Sequence, residues 1–462
     1  METKTNSSRY LKKTLLIAVP VMIQNLITNF VALIDNIMIG QVGTEQMSGV
    51  AIVNQLFFVF NLTVFGALSG AGIFGAQFFG KNDMEGVKST FRYKMIAALS
   101  IIVIGISVFA LFGDNLITAY LHTAEEGIDL ELTFGYAKQY MIIMLIGLVP
   151  FTIEQVYSGT LREGGITTVP MIAGVIAVVT NIIFNYLLIF GNFGFPKLGV
   201  EGAAIATVIS RFVQSGIVIL WSHLNSKRLG FIKGIYRTLK VPKKLAGKIT
   251  VKGLIPLTSN ECLWAAGASM LVQFYSIRGI DIVAGLNIAN TVINLFNVMF
   301  IAFGSGIAVV MGQLLGAGDM EQAKKVAPKL IAFSGLMCVV VGALMAAFSG
   351  LFPLIYNTSD NVRSLATMFI IISGALMPIH ATVHATYFTI RSGGKTFITF
   401  LFDCVFSWGI VVPTVAVLAH CTTLPIMYLY IVGQGMETIK CIIGLILVKK
   451  GVWLSNIVSD SN

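Results

Sequence analysis

The sequence predicts an all-α integral membrane protein in which twelve transmembrane helices form two parallel-repeat six-helix lobes around a central cavity, with both termini cytoplasmic. Three observations predict it: a composition too apolar for water, twelve long apolar runs, and an internal repeat with a period of half the chain. Of 462 residues, 56% are hydrophobic and only 11% are charged, against roughly a quarter in an average soluble domain. The mean hydropathy is +0.85. With 46 Gly and 11 Pro, these values exclude an ordinary cytosolic protein and argue against a disordered, collagen-like or nucleic-acid-binding chain. Five cysteines (Cys262, Cys338, Cys404, Cys421, Cys441) show neither CxxC nor paired spacing, so they read as small apolar residues rather than disulfides or zinc ligands.

A spanning helix needs about 20 apolar residues. The first run, 14 to 39, meets that length and lacks the short apolar core and small-residue cleavage site of a secretory signal, so it is expected to stay as a helix. Pro20 within it removes a backbone hydrogen bond and permits a bend. The runs at 47 to 79, 95 to 112, 139 to 159, 168 to 190 and 202 to 222 complete six spans. A polar linker follows, from His223 to Lys252, with nine basic residues and no acid. Six more runs lie at 253 to 276, with Pro256 near its start, and at 282 to 315, 329 to 352, 364 to 390, 396 to 419 and 424 to 448. The expected division is a first lobe over 1–222, the linker over 223–252 and a second lobe over 253–462.

Lys and Arg are retained on the cytoplasmic side of a membrane. With the N-terminus inside, 25 of the 31 basic residues fall on that side, while the opposite loop, 113 to 137, carries five acids and no base. The +10 net charge is therefore mainly a topology signal, with contact to anionic lipid as its partner chemistry.

A gapless shift of 236 residues superposes Pro20 on Pro256, Gly43 on Gly279, Asn54 on Asn290, Phe60 on Phe296, Gln77 on Gln313, Gly80 on Gly316 and Asp83-Met84-Glu85 on Asp319-Met320-Glu321. Because six is even, the two halves enter the membrane in the same sense, an arrangement that transporters use to build a central site opened by rocking the halves.

Charges inside spans cost roughly 2.5 to 3.5 kcal/mol each and are functional candidates by default. Asp35 ends the first span, Glu154 lies late in the fourth, Arg211 in the middle of the sixth, Glu261 in the seventh, Asp403 in the eleventh, and Glu437 with Lys440 in the twelfth. Asp35 has polar candidates in its own half: Asn181 and Asn185, i to i+4 on one face of the fifth span, and Thr207 in the sixth. Oxygen ligands suit a hard cation. A carboxylate there can trade a proton for sodium or for a cationic substrate; alternatively it is hydrated near the outer interface while the asparagines join helices. Glu261 is a second titrating site or a partner for a polar group of another helix. Asp403 lies one or two turns inside its span's edge, within reach of the interface. His380 and His384 share a face, with no third metal ligand in sequence reach, so proton handling or a hydrogen bond to a neighbouring helix is expected, with His384 a candidate of the second lobe. Arg211 is expected to pair structurally, with a carboxylate as one candidate neighbour, and Glu437 with Lys440 to neutralise one another.

The chain resembles the MATE transporters, the multidrug and toxic compound extrusion family, over nearly its whole length. The resemblance is carried by Pro20 with Leu33-Ile34-Asp35-Asn36-Ile37-Met38-Ile39-Gly40, by Gly80-Lys81-Asn82-Asp83, by Leu161-Arg162-Glu163-Gly164-Gly165, by Asn181 through Gly191, by Gly199-Val200-Glu201-Gly202, by Asn260-Glu261, by Arg391-Ser392-Gly393-Gly394 and by Glu437-x-x-Lys440. No single piece is specific; the ordered set is. It implies a secondary antiporter with a cavity between two lobes, exporting amphipathic, often cationic compounds in exchange for Na+ or H+, with Asp35, Asn181 and Thr207 at the cation site, no cofactor, no enzymatic step, and a monomer in the cell membrane. Many relatives carry Asp where this chain has Asn185. The alternative is a lipid-linked oligosaccharide flippase of related architecture, which should line its cavity with several Arg or Lys; the only mid-span bases here are Arg211 and Lys440.

Overall fold

The computed structural model describes residues 2–121, 129–356 and 358–459. Glu125 and Glu126 of the acidic loop, and the side chain of Lys4, lie outside the described residues. Among the described residues there is no strand, and twelve long helices carry the fold. These are α1 (Glu2–Gly40), α2 (Thr44–Lys81), α3 (Met84–Leu121), α4 (Leu130–Glu163), α5 (Thr168–Phe190), α6 (Val200–Leu224), α7 (Ile255–Ser276), α8 (Ile280–Gly316), α9 (Met320–Ala347), α10 (Asp360–Ser392), α11 (Thr396–Cys421) and α12 (Ile426–Lys449). Eleven are long and apolar enough to cross a membrane. The exception is α7, where Thr258, Ser259, Asn260 and Glu261 follow one another just inside its first turn.

Several helices outrun their apolar cores. The run at 95 to 112 becomes α3, which starts eleven residues earlier at Met84. Its polar beginning is stabilised by partners on other helices: Lys94 Nζ lies 2.5 Å from Glu163 Oε1 at the end of α4, with Lys94 1% exposed. Helix starts are fixed by side-chain caps, Asp129 accepting from the Glu131 and Leu132 amides before α4, Asp319 from Gln322 before α9 and Ser359 from Val362 before α10.

The helices gather into two compact units. The first takes residues up to Met22, Ala76–Asp83 and those from Lys248 on; the second takes Ile23–Gly75 and Met84–Gly247. The boundary in α1 falls two residues past Pro20.

In the second unit small residues set the packing, as expected where lipid supplies no hydrophobic drive between helices. Gly202 of α6 sits against the Leu188 backbone of α5, and Gly72 and Gly75 of α2 leave room for the Glu163 carboxylate. The basic linker is docked here rather than loose. Phe231, Ile232 and Ile235 are buried, and Arg92 Nε donates to the Ile235 carbonyl at 2.9 Å.

The first unit contains two close helix crossings. On the first, Gly342 of α9 and Gly374 of α10 face each other's backbone. On the second, the end of α2 crosses the end of α8, with Gly80 against Gln313 and Gly316 against Gln77. These four residues are two pairs related by the 236-residue repeat, so the crossing is pseudo-symmetric. Gln77, fully buried, is saturated there. Its amide nitrogen donates to the carbonyls of Ser392 (2.9 Å) and Ser455 (3.2 Å), and its oxygen accepts from the Ile457 amide at 2.9 Å. Asn456 donates to the Gly316 carbonyl at 3.2 Å, and Trp453 is 1% exposed. The segment after α12 is thus built into the core of this unit. Gln313, the repeat partner of Gln77, accepts from Lys13 Nζ at 2.6 Å.

Pro256 is the second residue of α7, directly after a π-helical turn, Thr250–Leu254. Proline cannot bond the carbonyl four residues back, and that carbonyl, of Lys252, instead accepts the Thr396 hydroxyl from the start of α11.

Gly316→Val should drive a branched side chain into the Gln77 backbone and lower stability by about 1–3 kcal/mol or more. Gly159→Ala, with nothing within 4 Å of the added carbon, should be neutral or stabilising by up to about 1 kcal/mol. Thermal unfolding in detergent compares the two.

Candidate functional site

In the second unit the predicted residues form one hydrogen-bonded chain across three helices. Asn181 and Asn185 are one turn apart on α5, so both amides point the same way. Asn185 Nδ2 donates to Asp35 Oδ1 of α1 at 2.5 Å and to Asn181 Oδ1 at 3.1 Å; Asn181 Nδ2 donates to Thr207 Oγ1 of α6 at 3.3 Å. Asn181 and Asn185 are 4% and 1% exposed. With both donor bonds spent, Asn185 Oδ1 is buried and has no hydrogen-bond partner among the described residues. A buried orphan oxygen is costly, and beside a carboxylate it is the atom a hard cation would take as a ligand.

Tyr140 of α4 belongs to the same neighbourhood and is not apparent from sequence. Its hydroxyl lies 3.5 Å from Asn54 Oδ1, and it is within electrostatic range of both Asp35 and Arg211. Arg211 has no carboxylate partner among the described residues. Its guanidinium lies 5.2 Å over the Phe151 ring, its side chain packs on Gly147, and Nη1 is buried without a hydrogen bond. The expected pairing beside an acid is replaced by a ring face, because α4 presents Gly147 and Phe151 at that level. Glu154, 2% exposed, accepts from the Ser158 hydroxyl and from Gln155 Nε2 at 2.8 Å.

In the first unit the acids are arranged differently from the sequence reading. Asp403 is held by partners from two other helices. Its Oδ1 lies 2.7 Å from Lys440 Nζ of α12, and its Oδ2 accepts from Asn260 Nδ2 of α7 at 3.0 Å. Lys440 also holds Glu437 at 3.0 Å, so the expected i to i+3 pair is one side of a triad. Asp403 lies in one of two π-helical turns of α11, Leu401–Val405 and Ser407–Val411; such turns recur at functional positions. Glu261 makes no hydrogen bond among the described residues and lies within electrostatic range of Arg391 and Asp403. Its neighbour Asn260 makes the contacts instead, to Asp403, to Tyr387 at 3.4 Å and to the Cys404 thiol. The signal for Asn260 was its position in the Asn260-Glu261 pair, one residue from the acid that drew attention. The His384 ring lies tilted against Phe300, with ring centroids 4.9 Å apart. Among the described residues neither it nor His380 makes the hydrogen bond to a neighbouring helix that the sequence suggested; both lie within electrostatic range of Glu437 and Lys440. Among the described residues no group of three or more His, Cys, Asp or Glu is placed to hold a metal ion.

The chain matches the MatE family model over residues 20–187 and 256–417, two segments whose starts are one repeat period apart. It is 28% identical to a probable multidrug resistance protein NorM of Thermotoga maritima over 410 residues, 88% of this chain and 85% of that protein. It is 24% identical to the probable multidrug resistance protein YoeA of Bacillus subtilis, covering 90% and 88%. A mutant of the Vibrio cholerae MATE transporter VcmN superposes with a TM-score of 0.87 at 16% identity, covering 98% of this chain and 99% of that one. An outward-facing multidrug resistance MATE transporter gives 0.79 at 18% identity, covering 96% and 95%.

In the wild-type protein Cys421, exposed at the end of α11, should react with a maleimide, while Cys404, 2% exposed and donating to Asn260, should not. Asn260→Ala removes that acceptor and should raise Cys404 labelling to a level detectable by mass spectrometry.

Proposed function

We propose that this chain, which belongs to the MatE family, exports amphipathic, cationic compounds in exchange for sodium ions or protons, with Asp35 as the coupling acid. Membership makes it a multi-pass membrane transporter and not an enzyme. Multidrug extrusion is supported by the relatives named as probable multidrug resistance proteins. The observation that carries the coupling role is the chain from Asp35 through Asn185 and Asn181 to Thr207, with the orphaned Asn185 oxygen beside the carboxylate.

One charge crossing 100 mV carries about 2.3 kcal/mol, enough to support a gradient of roughly fifty-fold in an exchanged solute. A single titrating carboxylate therefore suffices, which fits a site where Asn185 stands beside Asp35. Asp35 lies on α1, a helix whose first half belongs to one unit and whose second half belongs to the other. A proton or sodium ion bound at Asp35 thereby acts on an element common to both, which is what coupling requires. The linker end of the protein faces the cytoplasm in this reading, with its basic residues against anionic lipid. The flippase alternative gains nothing from the geometry: Lys440 is held between two carboxylates and Arg211 lies on Phe151.

In proteoliposomes with imposed sodium or proton gradients, the wild-type protein should move ethidium or norfloxacin. Asp35→Asn should reduce gradient-driven transport to that of empty liposomes; full retention would overturn the assignment. Asn185→Asp, which adds a second carboxylate at the site, should lower the sodium concentration for half-maximal transport about tenfold or more, or introduce a sodium response if protons drive the wild type.

A further inference from the structure

We propose that Lys440 is a built-in cation: its ammonium sits where a sodium ion would bridge Asp403 and Glu437, so the first unit takes up no sodium there and any sodium uptake is confined to Asp35. The proposal rests on the coupling role of Asp35 and says which acids are left out of it.

Three helices build the seat. Asp403 comes from a π-helical turn of α11, Glu437 from α12, and Asn260 from α7. Lys440 Nζ is 2.7 Å from Asp403 Oδ1 and 3.0 Å from Glu437 Oε1, while Asn260 Nδ2 fixes Asp403 Oδ2 at 3.0 Å. The lysine side chain is 5% exposed and the two carboxylates are 18% and 19% exposed. Its ammonium also lies 5.9 Å over the Phe402 ring. Take away the ammonium and what remains is a carboxylate oxygen from each of Asp403 and Glu437 facing one point, the oxygen chemistry that hard cations select.

Two physical reasons let the lysine hold this place against sodium. The ammonium is tethered one helical turn from Glu437, so it competes as an intramolecular ligand at high effective concentration. Displacing it would also leave a charged lysine buried without a partner, a penalty a free ion must overcome in addition to its own dehydration. The second unit has no such tethered cation at Asp35, whose hydrogen-bond partner is the Asn185 amide. A purely structural ion pair makes a different forecast: removing Lys440 would loosen the fold and create no affinity for sodium.

The test uses the purified full-length protein in detergent and reads thermal stability as NaCl replaces choline chloride at constant ionic strength, so it does not depend on transport. Any sodium-dependent rise in Tm of the wild type should vanish in Asp35→Asn and persist in Asp403→Asn. In the background of Asp35→Asn, Lys440→Gln should gain a sodium-dependent rise of about 3 °C or more, removed again by Asp403→Asn. A sodium response that survives Asp35→Asn and is lost on Asp403→Asn with Lys440 in place would overturn the proposal. So would a folded Lys440→Gln variant with no response. Should that variant fail to fold, the Asp35→Asn and Asp403→Asn comparison still decides. A wild type without any sodium response is the result that complete exclusion by Lys440 allows, and it tells against sodium at Asp35 rather than against the lysine.

Discussion

A charge inside a hydrocarbon layer has to be neutralised or hydrogen-bonded by the protein itself, and this requirement organises much of the molecule. Lys94 reaches Glu163 and thereby joins α3 to the end of α4. Lys440 reaches Asp403 and thereby joins α12 to α11, with Asn260 adding α7. Asp35 is held against α5 by amide chemistry, from Asn185. The same demand thus has two outcomes. Where a basic residue answers an acid, the result is a fixed joint between helices. Where an amide answers it, the carboxylate is left without a fixed cation, and that difference in partner is what the proposed coupling role of Asp35 builds on.

Much of the architecture was legible before any coordinates. Apolar run length counted the helices, and the repeat paired Gly80 with Gly316 and Gln77 with Gln313, though not the crossing that the structure builds from these residues. The Asp35 neighbourhood was legible because Asn181 and Asn185 share a helix face at fixed spacing. Helix ends were not, since α3 and α9 extend through polar turns whose stabilisation comes from caps and ion pairs that hydropathy does not register. The Asp403 environment was also illegible. Its partners sit 37 and 143 residues away, and no local pattern reveals that Asn260 rather than Glu261 faces it. Arg211 and His384 illustrate a third limit. Both found aromatic surfaces where polar partners were expected, and a ring face answers a cation or an imidazole without leaving any charge pattern in the sequence.

The internal repeat has also diverged in an informative way. Gln77 and Gln313 are equivalent by sequence, yet each receives a different end of the chain. Gln313 takes Lys13 from the amino-terminal stretch, and Gln77 takes the backbone of Ser455 and Ile457 from the carboxy-terminal one. Duplicated positions at the helix crossing have thus been put to separate use, one binding Lys13 and the other the backbone after α12.

The carboxy-terminal anchor bears on how the protein can be handled. Trp453 and Val458 are buried, and the segment between them hydrogen-bonds to the ends of α2 and α8 and packs against Gly393 just after α10. An affinity tag or fluorescent reporter fused directly after Lys450 would replace a buried strut with a foreign sequence. Fusion beyond Ser459, through a flexible spacer, leaves that strut intact.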